Sequence, residues 1–146
     1  MLGYWFATSD QNPAAMALYR RHYSKYEYQD GRRHVGGVMP PGQHLFLMTT
    51  DGRAIFGWLK NVVERYDKQA GVNCTVFRNE SDVLSSVLIR EACELAWEKW
   101  PGERLWTYVN PKKVRSTNPG YCFKRAGWKV CGTSKGGLVI LEAPTE

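Results

Sequence analysis

At 146 residues the chain is long enough to bury one hydrophobic core and too short to call for a second domain. A hydrophobic content of 43% with 23% charged residues excludes a disordered chain. No apolar run approaches the roughly 20 residues that cross a bilayer, so no membrane partner is expected.

The net charge of +6 admits a polyanionic partner, because phosphates attract a basic surface over long range, but many small basic proteins bind nothing acidic. The N-terminus lacks the basic-then-apolar pattern of a signal peptide, which points to a soluble intracellular protein. Cys74, Cys93, Cys122 and Cys131 form no C-x-x-C pair, so no metal is expected and buried thiols of a reducing cytosol are.

In chain order, residues 2–7 are apolar and aromatic and suit a first strand. Ser9-Asp10-Gln11-Asn12-Pro13 is a helix start, a polar cap candidate followed by an early proline, and the helix runs over 14–23. Its basic end, Arg20-Arg21-His22, suits the negative end of the helix dipole. Residues 24–41 are irregular and glycine-rich, the composition of a functional loop. Two β-type runs, 44–49 and 54–59, flank Thr50-Asp51-Gly52-Arg53 and predict a hairpin. A mixed polar connection over 60–71 follows.

The most informative stretch is 72–128. Cys74-Thr75-Val76-Phe77 reads as a strand. Leu84, Leu88, Ala92, Leu95 and Ala96 give the three- and four-residue spacing of an amphipathic helix over 82–100, capped by Ser81 or Asp82 and ended by Pro101-Gly102. Leu105 to Val109 is a second strand, and a turn at Asn118-Pro119-Gly120 leads into a short helix that stops at Gly127. Runs at 128–132 and 138–142 make a terminal hairpin. The order β-α-β-β-(connection)-β-α-β-α-β-β predicts one α/β domain over 1–146, with a mixed, mostly antiparallel sheet flanked by helices.

Three constellations carry chemistry. The turn after Phe77 leads to a helix N-terminus, where backbone N–H groups and the helix dipole favour an anion; Arg78, Ser81, Ser85 and Ser86 add charge and hydroxyls. The loop 110–121 gathers Lys112, Lys113, Arg115, Ser116, Thr117, Asn118 and Tyr121 beyond a strand's C-terminal end, where α/β sheets place ligands. The early polar cluster holds His22-Tyr23-Ser24, His34 and His44, one of which would suffice as a general base. Each also has a plain reading: capped helix, solvated loop, dipole-compensating charge. No nucleophile elbow, phosphate loop, dinucleotide fingerprint or His-Glu-x-x-His is present.

The order of elements, with the junctions of 72–128, resembles the GNAT superfamily of N-acetyltransferases. Phe123-Lys124-Arg125-Ala126-Gly127-Trp128 is similar to that family's Tyr-x-x-x-Gly-Phe segment. The resemblance implies an acetyl-CoA or other acyl-CoA as cofactor. Val76, Phe77, Arg78, Asn79, Ser81, Ser85, Ser86, Asn118 and Phe123 would then form its binding site. The chain departs from the family twice. The Gln/Arg-x-x-Gly-x-Gly/Ala turn is replaced by Arg78 to Ser86, and the proton-giving tyrosine aligns with Phe123, which leaves that role to Tyr121 or Ser116. His22, or Glu80 acting through water, would take the amine proton.

Within the superfamily the chain resembles phage DNA-modification proteins of the Mom type, which alter the exocyclic amine of adenine. The carrying words are His22-Tyr23-Ser24 and Asn118-Pro119-Gly120 ahead of Cys122-Phe123 and Ala126-Gly127-Trp128. This implies a DNA substrate met by Tyr23, Ser24, Tyr108, Lys112 and Arg115, in the cytoplasm of a bacterial or phage-infected cell. Two other readings remain: an inactive module of this fold that binds nucleic acid or protein, and a small-molecule or peptide N-acetyltransferase.

Overall fold

The computed structural model describes residues 3–22, 38–40, 42–60, 70–111 and 120–145. The irregular segment 24–37, the connection 61–69 and the loop 112–119 lie outside the described residues, and of Arg21 and His22 only the backbone is described.

The elements follow the expected order: β1 (Trp5–Ala7), α1 (Pro13–His22), β2 (Gln43–Thr49), β3 (Ala54–Lys60), β4 (Val72–Asn79), α2 (Ser85–Lys99), β5 (Leu105–Val109), α3 (Tyr121–Arg125), β6 (Lys129–Thr133) and β7 (Val139–Glu142). The strands form one sheet in the order β1-β2-β3-β4-β5-β7-β6. Every pair is antiparallel except β4 with β5, which the α2 crossover makes parallel. The expected mixed, mostly antiparallel sheet flanked by helices is therefore what forms.

Local chemistry explains the junctions. Asn12 caps α1, its Oδ1 accepting from the amides of Ala14 and Ala15 at 3.0 and 3.3 Å, with Pro13 at the first helical position. The β2–β3 hairpin turns on Asp51, whose Oδ1 accepts from Thr49 Oγ1 (2.8 Å) and Arg53 N (3.0 Å); these bonds hold its carboxyl below the usual carboxylate range. The short β1 is pinned to α2. The Tyr4 amide donates to the Glu91 carboxylate, and Trp5 Nε1 donates to Leu88 O at 2.8 Å.

One expectation needs correcting. The helix read over 82–100 starts at Ser85, and neither Ser81 nor Asp82 caps it. The Asn79 carboxamide donates to Val83 O (2.8 Å) and Ser85 Oγ (3.0 Å) and accepts from Ser81 N (2.9 Å), while Ser81 Oγ accepts from Val83 N. These local side-chain bonds fold 79–83 into turns that compete with helical pairing. Leu84, read as the first apolar position of the helix, becomes its N-cap and stands 71% exposed.

The core has two parts, one on each face of the sheet. Under α2 lie Phe56, Trp58, Cys74, Leu88, Ala92 and Trp128; under α1 lie Leu18, Phe46, Ile55, Leu59 and Val76. Strand β4 contributes to both. Val72 and Cys74 face α2, yet Val76 faces α1. A regular strand cannot send residues two apart to opposite faces. The cause is a β-bulge: Gly57 pairs with Val76 and Trp58 with Cys74, which leaves Thr75 without a partner on β3. The bulge turns Phe77 toward α2, where its ring centroid lies 5.4 Å from Phe56 and 6.0 Å from Phe123.

Candidate functional site

β4 and β5 pair over only three residues, Val72 with Leu105, Asn73 with Trp106 and Cys74 with Thr107. Beyond Cys74, β4 continues to Asn79 against β3 alone, and beyond Thr107, β5 continues to Val109 against β7 alone. The strands part at the bulge. Thr107 Oγ1 donates to Cys74 O at 2.9 Å and closes the last paired position. Past it, no strand among the described residues lies on the β5-facing edge of β4, a surface on which an extended amide-bearing chain can lie as an added strand.

Two helices frame this opening. The N-terminus of α2 lies just beyond the end of β4, and no side chain caps it. Among the described residues no acceptor takes the amides of Ser85 or Ser86, and the first turn holds no acidic residue. Such an end favours an anion, since free N–H groups and the helix dipole both present positive charge. The short α3 spans the mouth from one strand to the other. Phe123 packs on Phe77 of β4, and Gly120 abuts Val109 of β5 and Leu141 of β7. Gly120 has φ +77°, and a Cβ there would run into the Leu141 side chain, so this approach needs glycine twice over. Arg90 Nη2 donates to Arg125 O at 3.0 Å and ties α2 to the end of α3.

The predicted residues divide clearly. Phe77, Arg78, Asn79, Ser81, Ser85 and Phe123 come together at the mouth. Asn79 acts there as the brace of the β4–α2 turn. Phe123 is a core residue, its ring between Phe77 and Trp128 (4.7 Å between the last pair's centroids). Ser86 sits on the first turn of α2, and Tyr121 opens α3 with 55% of its surface exposed. Val76 is buried on the opposite face from Phe77, under α1. Glu80 is drawn toward the β2–β3 hairpin, its amide donating to Arg53 O at 2.7 Å. Tyr108 is half-buried on β5, its ring edge-on to Trp106 at 4.9 Å. Tyr23, Ser24, Lys112, Arg115, Ser116 and Asn118 lie outside the described residues, as does the His22 side chain.

Sequence reasoning missed Thr107, Asn73 and Trp106. The available signal was a polar residue inside an apolar run: Asn73 ahead of Cys74, and Thr107 between Trp106 and Tyr108. Both are buried, with 7% and 4% of their surface exposed. Burial, its largest cause in each case, raises the thiols of Cys74, Cys93 and Cys122, the second to about 12; nearby Arg78 draws Cys122 partly back. Burial of this kind disfavours the thiolate, the form in which a cysteine attacks. Among the described residues no three His, Cys, Asp or Glu side chains converge on a point that would hold a metal ion, and no helix is long and apolar enough to cross a membrane.

The residues at the mouth suit an acyl-CoA in three respects. The open edge of β4 matches an amide-bearing arm, the uncapped α2 N-terminus matches a pyrophosphate, and Arg78 adds charge. Glu80 and Asp82 oppose it, and the turn offers no glycine for close backbone approach. The set fits, with a weakened anion end. No protein-family model, curated protein or solved structure matches the chain.

Proposed function

We propose that this protein is an acyltransferase of GNAT type that acts on an amine, and that its acceptor is a nucleobase, the exocyclic amine of adenine in DNA. The observation that carries the transferase reading is the parting of β4 and β5 beside an uncapped helix N-terminus. The net charge of +6 and the basic segment from Lys112 to Arg115 support a phosphate-bearing acceptor. A cytoplasmic setting goes with this reading.

An acyl-CoA, when bound, supplies the activated acyl carbonyl. The backbone of Val76 and Phe77 holds its extended arm along the open edge of β4. The amides of Ser85 and Ser86, with Arg78, take the phosphate charge. His22, or Glu80 through water, accepts the proton that the amine loses as its nitrogen forms the new bond. Tyr121 or Ser116 returns a proton to the departing sulfur. Tyr121 stands at the start of α3, on the rim of the opening.

A second reading, a module of this fold without catalysis, draws on one observation. Phe123 has no proton to give, and its ring is locked between two aromatic neighbours.

Calorimetric titration with acetyl-CoA separates the two readings. We expect measurable heat, and a Leu84→Asp variant that binds about tenfold more weakly, because an acidic cap takes the α2 amides and repels the ligand, while the fold gains about 0.5–1 kcal/mol. No heat at millimolar acetyl-CoA would sink the transferase. Mass spectrometry of host DNA nucleosides after expression then reports the acceptor. A new mass on deoxyadenosine supports the base, and unmodified DNA from a protein that binds acetyl-CoA points to a small-molecule or peptide amine.

A further inference from the structure

Cys74 is the last residue of β4 that pairs with β5, and Thr75, the next one, is the residue that the bulge leaves without a partner on β3. A bulge bends its strand and adds to the local twist. A group that holds Thr75 and Val76 in the bulged form therefore also aims the rest of β4, the part that runs on to Asn79 past the opening.

The group seated on the bulge is Met39. It lies outside the sheet strands and is buried, in the core under α1 with Phe46, Ile55 and Val76. Its Sδ accepts from Thr75 Oγ1 at 3.3 Å. The thioether covers Gly57, the β3 residue that pairs with Val76. A Cβ at Gly57 would run into Met39 Sδ and stand 2.8 Å from Val76 Cγ1. Gly57 is not among the glycines with positive φ, so this glycine in the middle of a strand is there for the room it leaves. The backbone behind the side chain is fixed too: Met39 N donates to Asp10 Oδ2 at 3.0 Å, and Val38 N to Asp10 O at 3.1 Å.

Two courses are open to β4 after Cys74. A regular strand would carry Val76 to the α2 face and Phe77 to the α1 face. The bulged strand puts Thr75 and Val76 side by side under α1 and sends Phe77 to Phe56 and Phe123. Only the second course builds the seat that Met39 fills, because the seat needs the Thr75 hydroxyl and the Val76 methyl on one face, next to the bare Gly57. A flexible thioether is well suited to such an irregular notch.

We propose that Met39 is a positioning residue, a latch that holds the bulge from the α1 face and so fixes the edge of β4 along which the acyl-CoA arm lies. The latch itself stands on contacts within the chain, and its part in binding rests on the transferase reading given above.

The test pairs amide hydrogen exchange of the full-length, ligand-free protein with acetyl-CoA calorimetry, on the wild type, Met39→Ala and Met39→Leu. Met39→Ala empties the seat. Exchange over residues 75–77 should quicken about tenfold more than over residues 139–142 of β7, two strands away, because local opening of the bulge adds to any global loss of stability. At a temperature where this variant is fully folded, acetyl-CoA should bind about tenfold more weakly, since a small displacement of the edge misplaces the arm. Met39→Leu refills the seat with a similar volume and should bring both readouts back to within about threefold of the wild type. If Met39→Ala does not fold, Asp10→Ala replaces it, freeing the Met39 amide while leaving the side chain, and the same local signature is expected. Equal quickening at 75–77 and 139–142 makes Met39 a packing residue only and overturns the proposal. So does an unchanged acetyl-CoA affinity in a folded variant whose 75–77 exchange has quickened. If the wild type gives no heat with acetyl-CoA, the transferase reading falls, and the exchange ratio alone decides the latch.

Discussion

Along its β3 edge, β4 is paired from Val72 to Asn79; along its β5 edge the pairing ends at Cys74. The two edges belong to the same eight residues, so the difference does not lie in the strand's own propensity. β3 and β4 run antiparallel and keep their ladder through the bulge at Thr75. β5 arrives parallel after the α2 crossover and pairs with β4 over three residues. The closed edge holds the strand in place, while among the described residues no strand pairs with the open edge beyond Cys74. A gap of this kind persists only where the structure around it is over-determined. Here Phe77, Phe123 and Trp128 provide that support on one side, and the Thr107–Cys74 bond provides it at the base.

This contrast can be broken from the open side. Phe123→Ala should be the most damaging change, costing about 3–5 kcal/mol as for other buried phenylalanines. Hydrogen exchange should show protection lost first over 120–128 and at the end of β4, with the β3–β4 ladder retained. Equal loss on both edges of β4 would mean that they are not separable.

The pH dependence comes next. The thiols of Cys74 and Cys93 are raised in the folded protein, chiefly by burial, and Cys74 Sγ also donates to Val76 O across the bulge at 3.5 Å. A raised thiol favours the fold fully below its unfolded value, near 8.5, and that contribution is lost as pH climbs toward the folded value. Between pH 9 and pH 10 the two together should cost about 2 kcal/mol in urea unfolding, and Cys93→Ala should halve the slope. A flat alkaline profile would show that the bulge region opens before it unfolds.

The smallest expected effect is that of Thr107→Val. The shape is kept and one buried hydrogen bond to Cys74 O is lost, worth about 1 kcal/mol in the urea midpoint. If acetyl-CoA binding changes more than stability does, the parting of the strands is tuned by this hydroxyl.

Much of this architecture was legible in the chain because it rests on short-range chemistry. Asn12-Pro13 starts α1, Asp51-Gly52 turns the first hairpin, and Gly127 follows α3; each acts on neighbours a few residues away. Leu88, Ala92 and Ala96 mark the buried face of α2 by their spacing. The start of α2 was misread because Ser81 and Asp82 are good caps in isolation, and the reach of Asn79 to Ser85 Oγ is what moves the helix past them. The roles of individual site residues were less legible. Phe77 and Phe123 lie 46 positions apart in sequence, and nothing local shows that their rings meet.

The sequence by itself determined which segments are strands and helices, their order, and the polar turn that follows β4. Only the tertiary structure decided that β4 shifts its face at Thr75, that β5 leaves it after three pairs, and that Asn73 ends up buried opposite Trp106, with no partner for its Oδ1 among the described residues. The physical reason is that pairing register and strand divergence depend on contacts between residues far apart in the chain. Periodicity and turn chemistry act over a few residues and carry no record of them.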